Sequence, residues 1–164
     1  MSFLIKSFGA VAVLAFALAL LRGYKFYLRK RKEEREGFIS LFEAVRDEID
    51  CFLSPLSRIF DRFTSGESTL SRISARIKSG ESPKTAFEKE KGGLHIGDTG
   101  KEILSGFFSA LGRGYREGAV AMSEACRKRF LEYSEISDAE DEKNAKLAGV
   151  LVVGAALGII ILFI

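Results

Sequence analysis

The residues of this chain whose types suit chemistry are few and scattered. Its one histidine, His95, lies in the glycine-rich stretch Lys91–Gly100, KGGLHIGDTG. An imidazole can serve as a general base or a metal ligand, but each role needs a partner at a fixed distance, and no second histidine or cysteine neighbours it. The stretch has four glycines, yet it matches neither G-x-x-x-x-G-K-[ST] nor G-x-G-x-x-G, so it does not read as a phosphate cradle. His95 therefore reads as a loop residue. Cys51 and Cys126 are far apart and belong to no C-x-x-C pair; they could form a disulfide outside the cell, and in the cytoplasm they would be reduced thiols in a core. Glu132, Glu135 and Asp138 stand among many other charges and read as a solvated helix face. The sequence thus predicts no catalytic residue, no cofactor, no metal and no small-molecule substrate. A membrane-bound enzyme or stress effector built on the loop around His95 is the alternative to be tested.

The elements that position these residues are set by the two ends of the chain. Leu147 to Ile164, LAGVLVVGAALGIIILFI, is 18 residues without a charged, amide or hydroxyl side chain. As a helix it is about 27 Å long, close to the hydrocarbon core of a bilayer. Phe3 to Leu21 is a second apolar run, with its one charge, Lys6, near an end from which it can snorkel. Ala17-Leu18-Ala19 resembles a signal-peptide cleavage site, but the positive charge follows the apolar run instead of preceding it, which favours an uncleaved anchor. The domains expected are a transmembrane helix over 3–21, a cytoplasmic helical bundle over 22–146 and a transmembrane helix over 147–164.

Orientation follows from basic residues. Arg22, Lys25, Arg29, Lys30, Arg31, Lys32 and Arg35 crowd the inner end of the first span, and Lys143 and Lys146 flank the second. Such clusters resist translocation, so both spans place the middle in the cytoplasm. The same basic run is a candidate contact for anionic lipid. Ala15 with Ala19, and Gly154 with Gly158, give each span a small-x-x-x-small pair through which the two helices could pack closely. A net charge of +3, clustered beside a span, gives no reason to expect nucleic acid.

Between the spans the periodicity is helical. Phe38, Phe42, Val45, Ile49, Phe52, Leu56, Ile59 and Phe63 alternate spacings of four and three, widened by Leu41, Leu53 and Phe60. Ser54-Pro55 interrupts the stripe as a cap followed by a first-turn proline, and Ser82-Pro83 repeats the signature. Leu70, Ile73 and Ile77 form a short helix face ending at Ser79-Gly80. Ile103, Leu104, Phe107, Phe108 and Leu111 form another, stopped by Gly112-Arg113-Gly114. A last helix runs from about Tyr115 into the second span, with Ala119, Met122, Cys126, Phe130, Tyr133 and Ile136 on its apolar face. The fold class is all-α, a bundle of about six helices between two membrane helices. Lys91–Gly100 is the one long stretch predicted to be flexible.

Three places in this pattern carry a resemblance. A helix with Glu43 and Glu48-Ile49 precedes Pro55-Leu56; Gly80 leads to Lys84-Thr85-Ala86-Phe87; and Phe108-x-x-Leu111-Gly112 is followed by a charged helix entering a glycine-rich span. In these the chain resembles the stage III sporulation protein AB family over most of its length. It departs in having Gly114-Tyr115 and Glu117 where that family commonly shows an aspartate and then a glutamine. The resemblance implies a cytoplasmic bundle similar to the platform-protein domains of type II secretion and type IV pilus systems. It also implies a place in a secretion-like channel complex between mother cell and forespore, linking a cytoplasmic secretion-type ATPase to the membrane parts. On that reading Arg127, Lys128 and Glu132, near the charged neck before the second span, are the candidate partner contacts. A lipid-binding membrane organiser is the alternative.

Overall fold

A computed structural model describes residues 2–51, 56–111 and 116–163, with side chains described over 9–48, 58–111 and 121–161. The helices are α1 (Ser2–Cys51), α2 (Leu56–Asp61), α3 (Thr69–Lys78), α4 (Pro83–Glu90), α5 (Asp98–Leu111) and α6 (Arg116–Phe163), and among the described residues there is no strand. The all-α reading is right. The apolar ends are not separate elements: α1 has 50 residues and α6 has 48, each unbroken from its span into the charged middle. The chain divides into two compact units, Met1–Arg29 with Ser137–Ile164, and Lys30–Ile136.

Within Lys30–Ile136 the expected cap at Ser82-Pro83 is in place, and Ser68 adds one that the sequence pattern did not single out. Ser68 caps α3 by accepting a hydrogen bond from the Ser71 N–H at 3.1 Å, and Ser82 caps α4 by accepting from the Thr85 N–H at 3.2 Å, with Pro83 in the first turn. These caps satisfy amides that the helix itself leaves orphaned. Gly80, at φ +97, takes the left-handed conformation that ends α3. The cap expected at Ser54-Pro55 and the stop at Gly112–Gly114 lie outside the described residues, as do the side chains of Ile49, Phe52, Leu53 and Leu56.

The core is aromatic. Phe38, Phe42, Phe60, Phe87, Phe107, Phe108 and Phe130 are all essentially inaccessible and come from five helices, with Leu41, Val45, Ile59, Ile73 and Leu104 around them. Phe42 meets Phe107 edge to face at 4.5 Å between centroids, and Phe87 stacks on Phe108 at 4.9 Å. Such ring pairs add about 0.5–1.5 kcal/mol each beyond the area they bury. They tie α1, α4, α5 and α6 to one centre.

The face of α6 differs from the expected one. Met122 and Ile136 are exposed, whereas Ser123, Cys126, Phe130, Ser134 and Ser137 are buried. The covered stripe keeps the spacing of three and four but runs through serines, which are small enough for close packing and can return their hydroxyls to the helix backbone. Hydrophobicity alone found Cys126, Phe130 and the core-packed Tyr133 but added Met122 and Ile136 from neighbouring faces.

The glycine-rich stretch also differs. Lys91–Gly93 is a turn of 3₁₀ helix, Leu94 and Ile96 are buried in the core, and α5 already starts at Asp98. Its glycines give room for close approach more than freedom to move. A Cβ on Gly100 would sit 2.6 Å from Tyr133 Cε1, and the Tyr133 hydroxyl accepts a hydrogen bond from the Gly97 N–H at 2.8 Å. Tyr133 thus reaches from α6 over the start of α5, where a side chain would displace it. Gly100→Val should destabilise the protein by about 1–3 kcal/mol through overpacking. Combined with Tyr133→Ala it should cost less than the sum of the two single changes, a coupling measurable by a double-mutant cycle in denaturant.

The unit of Met1–Arg29 with Ser137–Ile164 contains the two apolar spans. Their most apolar 18-residue windows have mean hydropathies of 1.6 and 2.0, and only 6% of each window is buried. Phe16, Leu151 and Ile161 are 67, 70 and 76% exposed. A core helix of a soluble domain would be covered, so this exposure fits membrane helices. The small residues singled out for packing the spans are not the covered ones. Gly154 and Gly158 face open space within the chain, with nothing within 4 Å of a Cβ built on either, and Ala15 and Ala19 are exposed. Ala17 and Ala156 are the covered small residues instead, on the opposite sides of the two helices from those pairs.

Candidate functional site: a loop clamp and a groove along the last helix

His95 is held by one carboxylate. Glu34, on α1 and with its side chain only 10% exposed, accepts the His95 backbone N–H at 2.7 Å through Oε2 and faces His95 Nδ1 at 3.0 Å through Oε1. The Thr69 hydroxyl lies 3.5 Å from Oε1 and donates to the Gly93 carbonyl at 3.2 Å. Both oxygens of Glu34 therefore hold main chain and ring of the same loop residue, an arrangement that fixes a loop. The sequence could not pair these residues, which are 61 positions apart.

An open cleft of about 340 Å³ lies beside the clamp, lined by Lys30, Glu33, Glu34, Thr69, Arg72 and His95 among others. Arg72 is fixed by its neighbours. It donates to Glu90 at 2.8 Å and to the Thr69 hydroxyl at 3.1 Å, and Arg76 donates to Glu90 at 2.7 Å and to Glu81 at 3.1 Å, with Lys89 completing the chain to Glu81 at 3.0 Å. This ladder ties α3 to α4. Hydrogen bonds from Arg72 and then Arg76 hold the Glu90 carboxyl below its ordinary range. A histidine–carboxylate pair that did nucleophilic chemistry would need a hydroxyl or thiol within reach of its imidazole. The Thr69 hydroxyl beside Glu34 is turned to the Gly93 carbonyl.

His95→Ala should lower stability by only about 1 kcal/mol, because the Glu34 bond to the backbone N–H survives. Glu34→Ala removes both bonds and should cost about twice that or more. Chemical denaturation of the two variants checks the order; an equal effect would mean that the ring contact carries the clamp.

The second feature is the outer face of α6. Arg127, Lys128 and Glu132 line one shallow groove of about 530 Å³ together with Ala121, Glu124, Ala125, Leu131 and Glu135. Lys128 and Glu132 are exposed, as expected of docking residues. Arg127 is not a free surface charge. Its side chain is 24% exposed, it donates to Glu124 at 3.2 Å and lies 3.9 Å from Glu43 of α1, and its Nε is buried without a hydrogen-bond partner. Replacing it changes internal contacts as well as the surface. On the inner side of the same helix, Cys126 is a free buried thiol, and burial pushes it up from its ordinary value against the lowering effect of Arg129.

A family model described as Stage III sporulation protein AB matches residues 6–164. No curated protein and no solved structure matches the chain.

Proposed function

We propose a role that starts from membership: this chain belongs to the stage III sporulation protein AB family, and it acts as a non-catalytic membrane scaffold on which a cytoplasmic secretion-type ATPase and channel-complex membrane proteins assemble. The observation that carries the reading is the continuity of α1 and α6. Each runs unbroken from an exposed apolar span into the helical bundle, so a load on the bundle reaches the membrane through regular helix and not through a flexible linker. An adaptor between a cytoplasmic machine and a membrane channel needs that property, whereas an enzyme tethered to a membrane does not. The spent donors and acceptors of the His95 clamp favour a structural loop over a catalytic one.

In this reading residues 22–146 are cytoplasmic, on the mother-cell side of the forespore membranes, and both termini lie across the membrane. A phosphatase reporter joined after Ile164 is then active and one inserted at Gly92 inactive; the reverse pair would overturn the orientation. Docking uses the α6 groove. Lys128→Glu with Glu132→Lys exchanges two exposed charges there, so it should weaken co-purification with the ATPase from detergent extracts while leaving thermal unfolding unchanged. Arg127 is left intact in that test because its contacts to Glu43 and Glu124 are internal. Full assembly by the exchanged variant would remove this face from the proposal, and ATP hydrolysis by the purified chain alone would remove the scaffold role.

A further inference from the structure

We infer that the first turns outside the two apolar spans form a binding collar for anionic phospholipid headgroups. Depth along each helix, within the unit Met1–Arg29 with Ser137–Ile164, carries the argument. On α1 the apolar run ends at Leu21, and the exposed Arg22 and Lys25 follow within four residues, about 6 Å of helix rise. On α6 the apolar run starts at Leu147, and the exposed Lys146 and Lys143 precede it within the same about 6 Å. Neither helix has an acidic residue among the four positions of this layer, although the Glu142 carboxylate reaches back to Lys146. The first on α6 is Glu142, with Asp141, Glu140 and Asp138 farther out, and the first on α1 is Glu33.

That layer is the headgroup layer, which extends about 5–7 Å beyond the hydrocarbon on each side of a bilayer. The sorting is more than orientation requires. The rule that sets topology counts lysines and arginines over some 15–20 residues and is nearly indifferent to aspartate and glutamate. It gives no reason to keep acids out of the first turn and then place four of them just beyond it. Lipid phosphates at that depth do give a reason, because a carboxylate there would repel them. Aromatic residues flank this level on α1: Tyr24 lies within it, and Phe26 and Tyr27, 60% and 43% exposed, follow in the next turn; such rings favour the interface. Lys146 donates to Glu142 at 2.7 Å, but the two side chains are 74 and 70% exposed, and a solvated pair of this kind exchanges readily for a lipid phosphate.

The test is native mass spectrometry of the full chain, extracted in mild detergent and offered equal phosphatidylglycerol and phosphatidylcholine. The wild type should retain phosphatidylglycerol in preference by at least about tenfold, and Arg22→Gln, Lys25→Gln, Lys143→Gln and Lys146→Gln together should bring the two lipids to near parity. Lys78→Gln with Lys84→Gln, which removes two exposed cations of the other unit, should keep the wild-type preference. Should the fourfold neutral variant fail to insert, Lys143→Gln with Lys146→Gln alone should still lower the preference severalfold in protein recovered from membranes, while Lys143→Arg with Lys146→Arg preserves it. The inference is overturned if the wild type shows no preference, if neutralising the collar leaves the preference intact, or if the Lys78 and Lys84 change abolishes it equally.

Discussion

Phe42→Asp is expected to abolish the cooperative unfolding of the bundle and to expose the α5 amides to rapid hydrogen exchange. Phe42 is fully buried, meets Phe107 at 4.5 Å and Phe130 at 5.5 Å, and so joins α1 to α5 and α6 at one point. Aspartate there loses the burial of an aromatic ring, worth about 3–5 kcal/mol in truncations of this kind. It also brings a carboxyl group into a site with no donor among the surrounding rings, at a cost of several kcal/mol more whether the group stays charged or takes up a proton. Together these match the entire stability of a small domain, about 5–15 kcal/mol. The apolar spans should stay helical in detergent, so total helicity is a poor readout. Exchange at Ile103 to Leu111, which form the buried face of α5, is the sensitive one. Protection like that of the wild type would mean that Phe42 is not a core residue.

Much of this fold is legible in the sequence because its governing signals are local. Two apolar runs of membrane length, the Ser82-Pro83 cap, a glycine ending α3 and a stripe from Phe38 to Val45 each act over a few residues. What was illegible depends on contacts between distant positions. Nothing near Lys91–Gly100 shows that Glu34 holds His95, or that Tyr133 lies against Gly100, and without those contacts a glycine-rich stretch looks flexible. On α6 the apolar residues Met122 and Ile136 misplace the buried face, because serines can be covered as completely as leucines when another helix comes close. In the spans, small residues were expected to mark the packing face. Of those present, Ala17 and Ala156 are covered while Gly154 and Gly158 are open, a choice that depends on helix rotation and not on composition. The candidate docking residues were legible as surface charges on one helix; that Arg127 reaches Glu43 of α1 was not.

Arg35→Ala should destabilise the bundle by about 3–5 kcal/mol, and Lys32→Ala, three residues earlier in the same basic run, by less than about 0.5 kcal/mol. Composition makes the two residues equivalent members of a cluster beside the membrane, but the helix places them on different faces. Arg35 precedes Phe38 by three positions and Phe42 by seven, so it continues the core stripe, and it is 1% exposed. Lys32 has a side chain 60% exposed and approaches Glu36 only at 4.0 Å. A guanidinium keeps its charge in any protein interior, so this buried side chain is both a cation and a large part of the packing around it. Alanine removes the charge from whatever interacts with it and opens a cavity where the long side chain packed. Lys32 gives up one solvated, screened ion pair. Arg35→Lys separates the two parts of the cost, because it restores the charge and most of the volume but not the planar set of donors; its loss should fall between those of alanine and wild type. Denaturant midpoints of the four proteins, with the denaturant slope checked for constancy, provide the measurement. If Arg35→Ala were as mild as Lys32→Ala, burial of this arginine would contribute nothing to the fold.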